Sequence, residues 1–260
     1  MSVPADLITL YPPPMLSSLK NHPFAVEAFF DSSVVVSFAV PKEELLPMLP
    51  ECLEPDTFQD KWGFVALAMV KTKALRPKGF PSFLGDDFFL TGYRIFVRYT
   101  TNAGKRLRGL FIIRSETDRK KMQLFGNIFT HYHYTTTDIK SATEGSRTTI
   151  SSARSGLHIV VDDAPGDIPL PAGSPFRDWK EARRFAGPLP FTFTYNPEKR
   201  EVLIIEGVRE NWTPGPLRLI SWRSAFMEEL SLNGLTPANA FIIRNIPYHW
   251  KKGKLELWQG

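Results

Sequence analysis

Apolar and polar residues alternate with a period of two in short runs along this chain, and the clearest run is 33–40. Val34, Val36, Phe38 and Val40 fall on one side, with Val35, Ser37 and Ala39 on the other, as side chains do along a strand. Pro41 then offers the fixed φ of a first helical position. Leu45, Leu46 and Leu49 form the apolar side of one or two helical turns over 42–48, and Pro47 and Pro50 prevent a longer helix. Comparable runs predict strands at 62–74, 92–101, 107–116, 131–139, 148–152, 157–161, 191–195, 201–208, 216–222 and 239–246. Asn102-Ala103-Gly104 is a turn signal that joins two of them into a hairpin.

Two helices interrupt the β pattern. Asp118 is placed to cap the first, where Met122, Phe125 and Phe129 recur at helical spacing. Its interior Gly126 costs about 1 kcal/mol relative to alanine. Ser174 is placed to cap the second, with Pro175 in the first position, Phe176 and Trp179 three apart, and Gly187-Pro188 as the stop. The loops at 77–87 and 162–173 do not divide the chain, because neither flank carries a complete sheet pattern. The expectation is a mainly β fold in one domain over 1–260, with 1–30 as an N-terminal extension.

Composition narrows the class. The chain is 43% hydrophobic and 23% charged, which is ordinary for a globular protein that needs no staples. Cys52 is the sole cysteine, so no internal disulfide forms and a reducing compartment is expected. No apolar run approaches the ~18 residues of a membrane span, and the start, MSVPADLITLYPPP, lacks a basic end and an apolar signal core. A cytoplasmic protein with no membrane partner is expected. The net charge of +5 comes from scattered groups such as Lys105/Arg106/Arg108 and Arg119/Lys120/Lys121. None belongs to a nucleic-acid module, so they read as solvated faces and no nucleic-acid partner is expected. There is no glycine-rich phosphate loop and no G-x-S-x-G elbow.

Several residues carry candidate chemistry. His131 and His133 share a face if 131–139 is a strand. Two imidazoles there suit a divalent metal such as Zn²⁺, or acid and base roles near neutral pH. A site needs further ligands, with His158, Asp138 and Glu116 as the candidates, and the plainer reading is two histidines without metal. Arg94 and Arg98 lie four apart with Phe96 between them. Facing a cavity they would grip a carboxylate; facing solvent they are edge charges. Arg114 is a third cation of the same kind. Glu206 after an apolar run is a general acid or base if it points inward, and a strand-end ion pair otherwise. Tyr132, Tyr134 and Trp212 read as core or cavity wall.

The segment VVVSFAVPKEELLPMLPECLEPDTF, the helix FRDWKEARRF and the late run GVRENWTPGPLRLISW resemble, in that order, the acetoacetate decarboxylase superfamily, nearest its uncharacterised bacterial branch. The resemblance covers about 34–258. It implies an acetoacetate-decarboxylase-like antiparallel β-barrel with a central cavity, usually oligomeric, and no cofactor. Known members use a lysine that forms a Schiff base with a keto acid, together with a glutamate. By position the lysine falls near His133 or Tyr134 and the glutamate near Leu90 or Thr91, so both roles are vacant in this sequence. The N-terminal arginine of those enzymes falls near Asp31. Arg94 sits where the uncharacterised branch often has an arginine. The reading is a small-molecule protein holding an organic anion on Arg94, Arg98 and Arg114, walled by Tyr132, Tyr134 and Trp212. The alternatives are a metal-assisted lyase or hydrolase using His131 and His133, and a structural protein with a filled barrel.

Overall fold

The alternation at 33–40 belongs to a strand twice that length, β1 (Val26–Pro41). The computed structural model describes residues 19–209 and 212–260. Residues 1–18 of the expected N-terminal extension lie outside these, and β1 begins at Val26. Val34, Val36, Phe38 and Val40 are buried together, as the pattern requires. The strands that follow are β2 (Glu54–Pro55), β3 (Trp62–Pro77), β4 (Asp86–Thr100), β5 (Arg106–Thr117), β6 (Tyr134–Thr136), β7 (Lys140–Glu144), β8 (Arg147–Ser152) and β9 (Leu157–Asp162). The later ones are β10 (Phe191–Asn196), β11 (Glu201–Arg209), β12 (Gly215–Pro216), β13 (Arg218–Ser224), β14 (Thr236–Trp250) and β15 (Lys254–Leu257).

The strands β14, β1, β3, β4, β5, β10 and β11 pair in that order. Gly207, Val208 and Arg209 of β11 then pair back onto Trp250, His249 and Tyr248 of β14. Seven strands therefore form a closed ring, compatible with the expected barrel. Its ladders are antiparallel apart from β5–β10, which is parallel. Closure leaves few unpaired strand edges, the usual liability of a large sheet. A second sheet, ordered β13-β9-β8-β7, covers one side of the ring. Ile150, Ile159 and Val161 of that sheet share one apolar core with Val36, Phe38, Leu67 and Ile95 of the ring. The β4–β5 hairpin turns where expected, with Gly104 at φ +75° and its N–H donating to the Thr101 carbonyl at 2.8 Å.

Three helices complete the described chain: α1 (Lys120–Phe129), α2 (Trp179–Ala186) and α3 (Ala225–Glu229). Their caps correct the sequence reading. Asp118 does not cap α1; its Oδ1 accepts the Phe89 N–H at 2.7 Å and ties the helix approach to β4. Ser174 does not cap α2. Its hydroxyl donates to the Ala238 carbonyl at 2.7 Å, and α2 starts four residues later under Asp178, whose Oδ1 accepts the Glu181 N–H at 2.8 Å. Glu181 reaches back to the Arg177 N–H at 2.7 Å, a reciprocal arrangement that satisfies two otherwise unpaired donors. Ala182 and Ala186 are fully buried where α2 lies across Phe64 and Phe96 of the ring. Residues 42–48 form two separate 3₁₀ turns, which rotate Leu46 outward to 54% exposure while Leu45 stays buried. No described helix is long and apolar enough to cross a membrane.

Candidate functional site

The side of the ring away from the second sheet encloses a cavity of about 120 Å³. Each strand supplies alternate residues to its wall: Ala66, Ala68 and Val70 from β3, Ile205, Gly207 and Arg209 from β11, and Ile246, Tyr248 and Trp250 from β14. Small alanines on β3 leave the space that larger residues would fill. Residues 186–190, the end of α2 and the turn after it, close one side. Ligand pockets for drug-sized molecules run to roughly 300–1,000 Å³, so this cavity suits a smaller ligand.

Two cations enter this apolar space. Arg94 reaches the cavity from β4 and is half-buried, and its guanidinium folds back over Gly92, where a Cβ would come within 3.0 Å of Nε. That Nε is buried with no hydrogen-bond partner among the described residues. Burial lowers the Arg94 pKa, and the nearby phenols of Tyr248, Tyr134 and Tyr132 act in the opposite direction. Arg209 lies over the rings of Trp212 at 5.2 Å and Tyr248 at 5.7 Å. Burial lowers its pKa as well, and the neighbouring Arg94 charge pushes in the same direction. An arginine remains charged in proteins. Two guanidinium groups therefore share a small apolar cavity, and no described carboxylate lines it.

The tyrosines are held by their surroundings. Tyr132 Oη shares a hydrogen bond with Thr192 Oγ1 at 2.9 Å, and burial pushes its pKa up to about 12. Asn127 of α1 bonds both backbone groups of Tyr134, at 2.7 and 2.9 Å. The Tyr134 ring packs on Gly126, where a Cβ would sit 2.4 Å from it. The glycine that weakens α1 locally thus makes room for a cavity residue. Gly207 does the same for Tyr248, whose hydroxyl would stand 1.8 Å from a Cβ there. Burial raises the pKa of Tyr134 and Tyr248, so all three phenols stay neutral hydrogen-bond donors near neutral pH.

The residues singled out from sequence divide in two. Arg94, Tyr132 and Tyr134 line the cavity, as does Leu90 at the position of the superfamily's glutamate, whereas Arg98, Arg114, Glu206, Trp212, His131 and His133 do not. Arg98 is on the same face of β4 as Arg94 but beyond the cavity. Its Nε donates to fully buried Asp56 at 2.5 Å, and Arg108 donates to the other carboxylate oxygen at 2.6 Å. Arg114 belongs to the opposite face, paired with Glu116 at 3.0 Å and Glu229 at 3.7 Å, with its guanidinium over Phe226. Burial there raises the Glu116 pKa. Glu206 points outward between cavity residues Ile205 and Gly207 and pairs with Lys251 at 2.9 Å. Trp212 stands outside the cavity beneath Arg209.

The expected strand at 131–139 is only β6, and His131 and His133 precede it. His133 is exposed with φ +50°, and His131 faces a surface groove with Asn21 at 3.3 Å. The period of two is right there but its phase is reversed: the tyrosines face in. Asp138 accepts from Ser152 Oγ at 2.6 Å, His158 pairs across to Arg223 in the second sheet, and Glu116 is engaged with Arg114. Among the described residues no three His, Cys, Asp or Glu side chains come together to hold a metal ion.

Arg209 and Tyr248 are cavity residues that sequence reading missed. The predicted strands ended at 208 and 246, one and two residues short of them. Continuing the alternation from Ile205 through Gly207, and from Ile246, reaches both.

Solved structures share this fold. An acetoacetate decarboxylase from Legionella pneumophila subsp. pneumophila str. Philadelphia 1 is 14% identical, with a TM-score of 0.58 over 98% of this chain and 92% of that one. The enduracididine biosynthesis enzyme MppR, complexed with the condensation product of pyruvate and imidazole 4-carboxaldehyde, is 12% identical. Its TM-score is 0.56 over 98% of this chain and 97% of that one. An acetoacetate decarboxylase-like enzyme from Sphingomonas wittichii RW1 is 13% identical, with a TM-score of 0.54 over 98% and 100%. No curated protein matches the sequence. The fold is therefore that of acetoacetate decarboxylase-like enzymes, and with residues 29–252 matching the family described as DUF2071, uncharacterized conserved protein, the chain belongs to that family.

Proposed function

We propose that the cavity binds a small organic anion, a carboxylate of a few carbons, between Arg94 and Arg209. The observation that carries this reading is the pair of half-buried guanidinium groups in one apolar cavity, with no carboxylate among the described residues lining it. Burying a charge without a partner is costly, and the unpaired Arg94 Nε is a donor awaiting an acceptor. A carboxylate supplies the charge and two acceptor oxygens at once. The phenols of Tyr132, Tyr134 and Tyr248 are neutral donors for a second oxygen, such as a carbonyl or the enolate derived from it. MppR, a relative in fold, is complexed with a pyruvate-derived product, but the likeness reaches only the fold and the ligand class rests on the arginines.

On this reading the ligand is held without an imine and no Schiff-base decarboxylase activity is expected, a view supported by a wall whose described residues include no lysine. The metal-assisted alternative is less favoured because His131 and His133 stand outside the cavity, and the filled-barrel alternative because about 120 Å³ is open.

Calorimetric titration with pyruvate and its neutral amide, pyruvamide, tests the reading. Charge-assisted hydrogen bonds contribute about 1.5–3 kcal/mol, so pyruvamide should bind at least about tenfold more weakly. Equal affinities would refute the anion. Borohydride added with acetoacetate should leave the protein mass unchanged, and a reduced adduct on a lysine would show that imine chemistry operates after all.

A further inference from the structure

Gly187, Pro188, Leu189 and Pro190 line both the cavity and an outer groove of about 460 Å³, so the two spaces adjoin along this turn. The groove gathers five cations, Lys105, Arg106, Arg108, Arg183 and Arg184. Arg108 is committed to Asp56 at 2.6 Å, and Arg106 reaches Glu54 at 3.5 Å. Lys105, Arg183 and Arg184 are exposed and have no carboxylate partner among the described residues. They converge from separate elements: Arg183 and Arg184 from the last turn of α2, Lys105 from the β4–β5 hairpin. A solvated face explains one such cation, but three from two elements on one concave surface concentrate positive potential.

The groove is also coupled to the cavity. Trp212 lines the groove, Arg209 lines the cavity, and the Arg209 guanidinium lies over the Trp212 ring at 5.2 Å. Positive charge therefore runs from Arg94 through Arg209 to the groove cations without a carboxylate between them among the described lining residues. We infer that the groove is a phosphate subsite, and that the ligand is a phosphorylated organic acid whose carboxylate lies in the cavity and whose phosphate lies on Arg183, Arg184 and Lys105. The carboxylate half of this assignment rests on the cavity reading above. Two guanidinium groups suit a phosphate because their planar forks match its oxygens.

The test uses two pairs of acids that differ only by a terminal phosphate, glycerate with 3-phosphoglycerate and gluconate with 6-phosphogluconate, titrated at fixed ionic strength. In at least one pair the phosphorylated acid should bind about tenfold tighter or more, as expected for charge-assisted contacts. The Arg183→Ala/Arg184→Ala variant should lose that advantage and keep its affinity for the unphosphorylated acid. A Lys120→Ala/Lys140→Ala variant, with the same loss of charge on exposed positions elsewhere, should retain it. No advantage in either pair, an advantage that survives loss of Arg183 and Arg184, or one lost equally in the lysine variant overturns the subsite. Inorganic pyrophosphate, which needs no cavity, separates the two readings. If it binds the native protein and not the arginine variant while neither unphosphorylated acid binds, the groove stands and the cavity reading falls.

Discussion

Replacing Arg94 with methionine should weaken binding of small carboxylates at least about thirtyfold, since truncating one partner of a buried charge pair costs about 2 kcal/mol or more. The same change should leave the unliganded protein as stable as before, or more so. Arg94 is half-buried, with its Nε buried and without a partner among the described residues, and it faces phenols, not a carboxylate. Without ligand it is an uncompensated charge, and apolar replacement of such groups is neutral or stabilising. Methionine keeps the stem that packs in the wall and fills space without strain. Thermal unfolding and calorimetry on the one variant separate the outcomes. A large loss of stability with unchanged binding would make Arg94 a structural residue and remove the main support for the anion.

The opposite pattern is expected at Asp56. Its side chain is fully buried and accepts from Arg98 at 2.5 Å and Arg108 at 2.6 Å, while Arg108 also donates to the Phe185 carbonyl at 2.8 Å. The carboxylate thus joins β2's approach, β4, β5 and the end of α2. Asp56→Ala strands two guanidinium groups that are about a third exposed at most on their side chains, 27% and 36%. Removing one partner of a buried ion pair costs about 3–5 kcal/mol, and this partial exposure favours the lower end. At about 3 kcal/mol the melting temperature should fall by roughly 6–12 °C for a chain of this size. A fall of less than about 2 °C would show that the Arg98–Asp56–Arg108 cluster holds little. Pyruvate affinity in the folded variant should change little, since none of the three lines the cavity.

The contrast between Arg94 and Arg98 shows where sequence reading stops. Both sit on one face of β4, as their spacing requires, but one meets an empty cavity and the other a buried aspartate from a different loop. Spacing along a strand fixes the face; the partner across the fold decides the role. The β pattern was legible because period-two alternation is local, which is why β1, β3, β4 and β5 stand where expected. Ring closure was legible only through the family resemblance and not from the alternation, because the β11–β14 pairing joins residues distant in the chain. Arg209 and Tyr248 stand at that closure. Pro247 marks an apparent strand end, yet β14 continues past it because the β11 ladder stops at Tyr248, so the missing N–H costs no bond on that side. At 131–134 the sequence could not give the phase of the alternation. Asn127 and Gly126 of α1, by gripping Tyr134, turn the tyrosines inward and leave the histidines outside.

A crystal structure of the native protein soaked with pyruvate tests the anion-binding cavity most directly. The account predicts the carboxylate inside the ring, within hydrogen-bond distance of both the Arg94 and Arg209 guanidinium groups, with the keto oxygen facing the Tyr132, Tyr134 or Tyr248 hydroxyl. Pyruvate bound elsewhere, or a cavity left without it at concentrations that saturate the calorimetric signal, would contradict it.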